Sequence, residues 1–96
     1  MSQRYLEVSY RKGKPLAAYL YLARKSGDVS ARTDRPEPGF VVDRAGDGRA
    51  IGVEITSPAK VTLAALNRVL AAINEAPATP DELAPLLTSQ TRASQA

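Results

Sequence analysis

The chain contains no cysteine, no histidine and no tryptophan, and its only aromatic residues are one phenylalanine and four tyrosines. Without thiolate or imidazole it lacks the usual soft metal ligands, a cysteine nucleophile and a histidine base, which excludes most common hydrolase designs. The missing cysteines also exclude a disulfide framework. No apolar run approaches the about 20 residues that a membrane span requires, and MSQRYLEVSYRKGK at the start has no apolar core of the kind a secretory signal carries. A cytoplasmic protein is the expectation. With 96 residues the chain fits one small domain, which buries only roughly two-thirds of the surface its unfolded form exposes.

Charge is present but unevenly placed. The net +3 divides into +5 over residues 1–35, with eight basic side chains against three acids, and −2 over the rest, with five against seven. A basic excess of this kind attracts polyanions or acidic partners. Candidate nucleic-acid contacts are therefore Arg4, Arg11, Lys12, Lys14, Arg24 and Lys25.

Hydrophobic alternation predicts strands over the first half of the chain. RYLEVSY, from Arg4, places Leu6, Val8 and Tyr10 on one side and Tyr5, Glu7 and Ser9 on the other. After RKGKP, the stretch LAAYLYLA sets Leu16, Ala18, Leu20 and Leu22 against Tyr19 and Tyr21. VSARTDR, residues 29–35, reads as a polar third strand, suited to a sheet edge. FVVDR and AIGVEI follow PEPGF and flank AGDG. Pairing Arg44 with Arg49 sets Val42 opposite Ile51 and Phe40 opposite Val53 on the core side, leaving Val41, Asp43, Ala50, Gly52 and Glu54 outside. A glycine such as Gly52 in mid-strand marks a bulge or a close approach.

Beyond TSPAK the period changes to that of a helix. In VTLAALNRVLAAINEA the residues Leu63, Leu66, Leu70 and Ile73 share a face, and Pro77 is expected to end the element. Thr79, Pro80 and Glu82 then form a capping-box start for a second helix, limited by Pro85 to little more than one turn. The polar, aperiodic segment 88–96 has the composition of a disordered tail. The predicted architecture is α+β, an antiparallel β-meander of about five short strands with a helix packed on one face, in a single domain spanning residues 1–87.

Asp43, Asp47, Gly48 and Glu54 occupy first, fifth, sixth and twelfth positions of a calcium-loop pattern. The third position is Ala45, which offers no side-chain oxygen, and the flanks alternate like strands where calcium loops require helices. Gly46, Asp47 and Gly48 suit a tight hairpin turn. The turn reading is the simpler one, and neither a metal nor a cofactor is expected.

LAAYLYLA followed by SGDVSARTDRPEPGFVVDRAGDGRAIGVEI resembles the bacterial family known as domain of unknown function 2283. The likeness runs through Leu20 to Leu22, Val29 to Thr33, Gly39 to Asp43 and Asp47 to Ile55, within roughly residues 4 to 60. Where family members carry an acidic residue before the second strand, this chain has GKPLAAY. The resemblance implies a small intracellular bacterial protein without an established reaction, and a role as the antitoxin or accessory half of a two-protein pair.

Asp43 and Glu54 are the only candidates for a carboxylate pair, and general acid–base work would need them in a dry pocket with separated pKa values. That they are solvated, or paired with strand arginines such as Arg32 or Arg35, is the simpler expectation. The tyrosines are interleaved with basic residues, which suits base stacking or a protein interface, beside the plainer reading that tyrosine packs well on a half-exposed strand. A sheet covered by one helix leaves a face open, and Tyr19, Tyr21, Val41, Asp43 and Glu54 are the candidate interface residues there. The sequence thus points to a non-enzymatic protein-binding module, acting as a homodimer or with a small protein partner, with a nucleic-acid-binding regulator as the alternative.

Overall fold

The computed structural model describes residues 4–23 and 25–86; the tail at 88–96 and Arg24 lie outside the described residues. Five strands form one antiparallel sheet: β1 (Tyr5–Arg11), β2 (Lys14–Tyr21), β3 (Arg32–Asp34), β4 (Phe40–Arg44) and β5 (Ala50–Ile55), in the spatial order β1-β2-β5-β4-β3. The sheet is meander-like. Hairpin β1–β2 and the three-strand run β3–β4–β5 are each built from chain neighbours, and pairing of Ala18–Tyr21 with Gly52–Ile55 joins them. A single 3₁₀ turn, Pro58–Lys60, leads to helix α1 (Leu63–Ala72), and residues 80–86 form a second helix, α2.

Alternation decides which sheet face is buried. Ala18, Leu20, Phe40, Val42, Val53 and Ile55 project to one side, where Leu66, Val69 and Leu70 of α1 and Leu83 and Leu86 of α2 complete the core. Val53, Leu66, Leu70, Leu83 and Leu86 are all 0% exposed. Burial of side chains this size stabilises by about 1.5–3 kcal/mol each, before the entropy of ordering them is set against it.

The register differs from the simple hairpin alignment. Val42 lies opposite Val53 and Phe40 opposite Ile55, two residues from the expected pairs: Arg44 meets Ala50 and not Arg49, and the ladder then skips Ile51 so that Asp43 meets Gly52. A shift of two residues leaves the same side chains of β4 on the core face. The AGDG connection is a turn, closed by Gly48 N donating to the Ala45 carbonyl (2.9 Å) and Ala45 N donating to that of Arg49 (2.8 Å).

Hairpin β1–β2 turns more tightly than RKGKP suggests. Lys12 and Gly13 both have positive φ, 54° and 77°, the conformation of a two-residue turn whose twist matches the strands. A second register shift follows, between Ser9 and Tyr10. As a result Leu16, expected in the core, is 57% exposed, and Tyr10 is 52% exposed. Strand β3 is three residues long where seven were expected, and Val29 is 71% exposed. The preceding residues are used to cross from β2 to the far edge. Asp28 anchors this crossing: its carboxylate accepts from Lys25 N (2.8 Å) and from Arg49 NH2 (2.8 Å).

Helix α1 is shorter than the periodic stretch. Thr62 caps it, its hydroxyl accepting from Ala65 N at 3.1 Å. It ends at Ile73 because Asn74 adopts φ 61°, with Asn74 N donating to the Ala71 carbonyl and Glu75 N to that of Leu70. These two bonds form a Schellman motif, so Asn74, and not Pro77, stops the helix. Helix α2 opens with the expected capping box, Glu82 N donating to Thr79 Oγ1 (3.3 Å) and Thr79 N to Glu82 Oε1 (3.2 Å). It continues through Pro85 to residue 86, so the proline does not confine it to one turn.

Arg4 joins the start of the sheet to α2. Its Nε and NH2 reach Glu82 Oε2 and Oε1 at 2.9 Å each, and NH1 donates to the Ala76 carbonyl at 2.7 Å. The Arg4 hydrogen bond holds the Glu82 carboxyl below the usual carboxylate range, against the opposing effect of partial burial. Hydrogen bonds from Arg49 and Arg44 do the same for Asp28 and Asp34 respectively. Carboxyls with depressed folded-state pKa values contribute stability in full above the unfolded value and lose it as pH falls through the folded one. Stability should therefore be level from neutrality to about pH 5 and fall below about pH 4. Removing the side-chain partner in Arg4→Ala or Glu82→Gln should cost about 2 kcal/mol in urea denaturation, with Arg4→Lys retaining part because it cannot form the two-pronged contact. An unchanged midpoint in all three variants would show that the link is not structural.

Candidate functional site: the open face of the sheet

Helices α1 and α2 pack on one side of the sheet, and no helix among the described residues covers the other. On that second face β1 and β2 contribute Tyr5, Glu7, Tyr19 and Tyr21, and β4 and β5 contribute Val41, Asp43, Gly52 and Glu54. Tyr5 pairs with Tyr21 across the β1–β2 ladder, and their rings stack with centroids 4.6 Å apart and planes inclined by 15°. Tyr21 meets Tyr19 at the same separation, tilted by 55°. The aromatic row then crosses the sheet: the Tyr19 hydroxyl donates to Asp43 Oδ2 at 2.6 Å, from β2 over β5 to β4.

Gly52 makes that crossing possible. It lies between Tyr21 on one side and Asp43 on the other, and the Tyr19 ring occupies the space a β-carbon at position 52 would fill. The mid-strand glycine thus marks a close approach, by an aromatic side chain, with the β4–β5 register shift immediately beside it. Covering a bare strand glycine with a neighbouring ring also shields its backbone.

Of the five residues expected at an interface, all belong to this face, but they differ in availability. Tyr19 and Tyr21 are half-buried, Val41 is only 7% exposed, and Asp43 is engaged by Tyr19. Among the described residues neither Arg32 nor Arg35 pairs with Asp43 or Glu54; Arg32 pairs with Asp34. Glu54 stands between Tyr19 and Val41 on the central strand β5, half-buried, its carboxylate without a hydrogen bond or ion pair among the described residues. No cluster of three metal-ligating side chains occurs among the described residues. Two shallow hollows, one containing Glu37, Phe40, Lys60 and Val61 and the other Lys25, Arg44, Arg49 and Glu75, include neither Asp43 nor Glu54.

The basic candidates separate into groups. Arg4 is held by Glu82 and the linker carbonyls and has a structural task. Arg24 lies outside the described residues. Lys25 is exposed in the turn before β3. Arg11, Lys12 and Lys14 surround the β1–β2 turn and are exposed. Sequence reasoning missed this grouping, and it also missed the contact between Tyr19 and Asp43. Gly52 was the one available signal for the latter.

No family model matches this chain, and no curated protein or solved structure matches it, so the likeness to domain of unknown function 2283 rests on the quoted residues alone.

Substituting Gly52→Ala should push Tyr19 aside, break its bond to Asp43 and lower stability by about 1–2 kcal/mol. In a Tyr19→Ala background the same substitution should cost much less, since the displaced ring is already gone. Equal losses in both backgrounds, measured by denaturation, would refute the coupling.

Proposed function

We propose that this chain is a non-enzymatic binding module that acts through protein–protein contact at the open face of its sheet. The observation that carries the reading is the aromatic row Tyr5–Tyr21–Tyr19, which ends on Asp43 and borders the unpaired Glu54. Tyrosines at a rigid, partly apolar surface lose little side-chain entropy on binding, which is why they are enriched at interfaces. The occupation of Asp43 by Tyr19 and the shallow surroundings of Glu54 favour binding over acid–base catalysis. A bacterial, antitoxin-like or accessory role extends the family resemblance and is part of the same proposal.

A nucleic-acid-binding role is the second reading, favoured by the exposed Arg11, Lys12 and Lys14. Its stacking element is less well served, because Glu7, Asp43 and Glu54 share the face of the tyrosines and repel phosphate. The two readings separate by salt. A tagged pull-down should retain a protein partner at high salt and lose it for the double variant Tyr21→Ala/Glu54→Lys. Capture unchanged in that variant would remove the open face from the proposal, and nucleic acid retained only at low salt would favour the second reading.

A further inference from the structure

Strand β2 pairs with β5 only over Ala18–Tyr21, whereas its ladder with β1 continues outward to Lys14 and the turn. Four residues of ribbon, about 13 Å at strand rise, therefore run past the last paired residue of β5, and the 3₁₀ turn Pro58–Lys60 is the next part of the chain in contact with β2. Pro15 sits in this projecting part, where a strand without an N–H deprives no partner on the β5 side. The arm ends in Arg11, Lys12 and Lys14, all exposed and without an ion pair among the described residues. In contrast, Arg4, Arg32, Arg44, Arg49 and Arg68 are all in ion pairs. Lys12 holds a positive φ of 54°, a conformation that asparagine or glycine adopts at less cost, and Leu16 remains 57% exposed beside it.

The open face has the opposite character. Its paired strands present Glu7, Asp43 and Glu54 among three tyrosine rings, and Glu54 has no partner among the described residues. Lysine and arginine side chains are attracted to tyrosine faces as well as to carboxylates. One chain thus carries both halves of a complementary contact, a projecting arm with three cations and a flat face with three anions. The arm extends the same sheet that bears the face, so it does not lie over the face of its own protomer.

We propose that the occupant of the open face is a second copy of this chain, in a two-fold dimer in which each protomer lays its β1–β2 arm across the tyrosine–carboxylate face of the other. This rests on the protein-binding reading of that face and names its partner. The two-fold arrangement uses the contact twice and closes the assembly at two subunits. It also removes Leu16 and the tyrosine edges from water.

Sedimentation equilibrium tests the dimer directly. The wild-type chain should be dimeric at high micromolar concentration and remain so at high salt, with only a modest rise in its dissociation constant, because burial of Leu16 and the tyrosine edges is not screened. An arm variant, Arg11→Glu/Lys12→Glu/Lys14→Glu, and a face variant, Glu7→Lys/Glu54→Lys, should each be folded by circular dichroism and monomeric, with dimerisation weakened by at least about tenfold. Mixing the two should restore a heterodimer, because the acidic arm of the first meets the basic face of the second while the basic arm of the second meets the acidic face of the first. A monomeric wild type, dimeric single variants or a mixture that stays monomeric would overturn the proposal. A monomeric wild type that binds duplex DNA through the arm would assign the arm to nucleic acid instead. A monomeric wild type that still captures a different protein, and loses it in the face variant, would overturn the dimer while leaving the face a binding surface.

Discussion

Val53 and Ile55 at the centre of β5 are 0% and 1% exposed, and both point toward the same pair of helices. The chain supplies enough large apolar side chains for one such layer and no second one. This one-sided packing governs the rest of the molecule. Helices α1 and α2 must lie on the same face, and the linker between them is fixed accordingly, with Asn67 accepting from Ala78 N at 2.7 Å. The opposite face has to be finished by side chains of the sheet itself. Tyr19 lying over Gly52, with Tyr21 and Tyr5 packed in a row beside it, covers backbone without adding a third layer.

Electrostatic contacts in the protein concentrate where the packing is weakest. Arg44 and Arg49 hold the ends of the β3–β4–β5 unit, Arg44 through Asp34 and the Gly48 carbonyl, Arg49 through Asp28 and Asp47. Arg68 reaches Glu37 ahead of β4. Isolated surface pairs of this sort contribute little, but here each ties a connection to a strand or helix that hydrophobic contacts do not reach. The calcium-like spacing of acids around AGDG has the same explanation. Asp47 accepts from Arg49 N and pairs with its guanidinium, while Asp43 faces Tyr19, so the two carboxylates serve different contacts.

Strands β4 and β5 were legible in the sequence to the residue, because a strict alternation of apolar side chains is interrupted by a compact turn. The capping residues Thr62 and Thr79 were equally readable, since a cap is a local bond between neighbours. Register was not, because the shift beside Gly52 depends on how three strands fit together. The end of α1 turned on Asn74 in a left-handed conformation, a local signal that the more conspicuous Pro77 obscured. Leu16 reads as a core residue by alternation alone, but the β1–β2 ladder skips it and β5 does not reach it, so it is exposed. For the candidate site, the residue types and the shared face followed from alternation. The bond between Tyr19 and Asp43 did not, since it spans 24 positions and passes over a strand between them.

The contact between Arg4 and Glu82 spans 78 positions and brings the two ends of the described domain side by side. Topologically the domain is a ring that happens to be open at that point. Each ladder is made within β1–β2, within β3–β4–β5, or along the seam between them, and none requires the chain to be continuous through Ser26 and Gly27. A circular permutant joined near Arg4 and Glu82 and opened in that exposed turn would keep every strand pairing, with β3 then becoming the first strand in the chain.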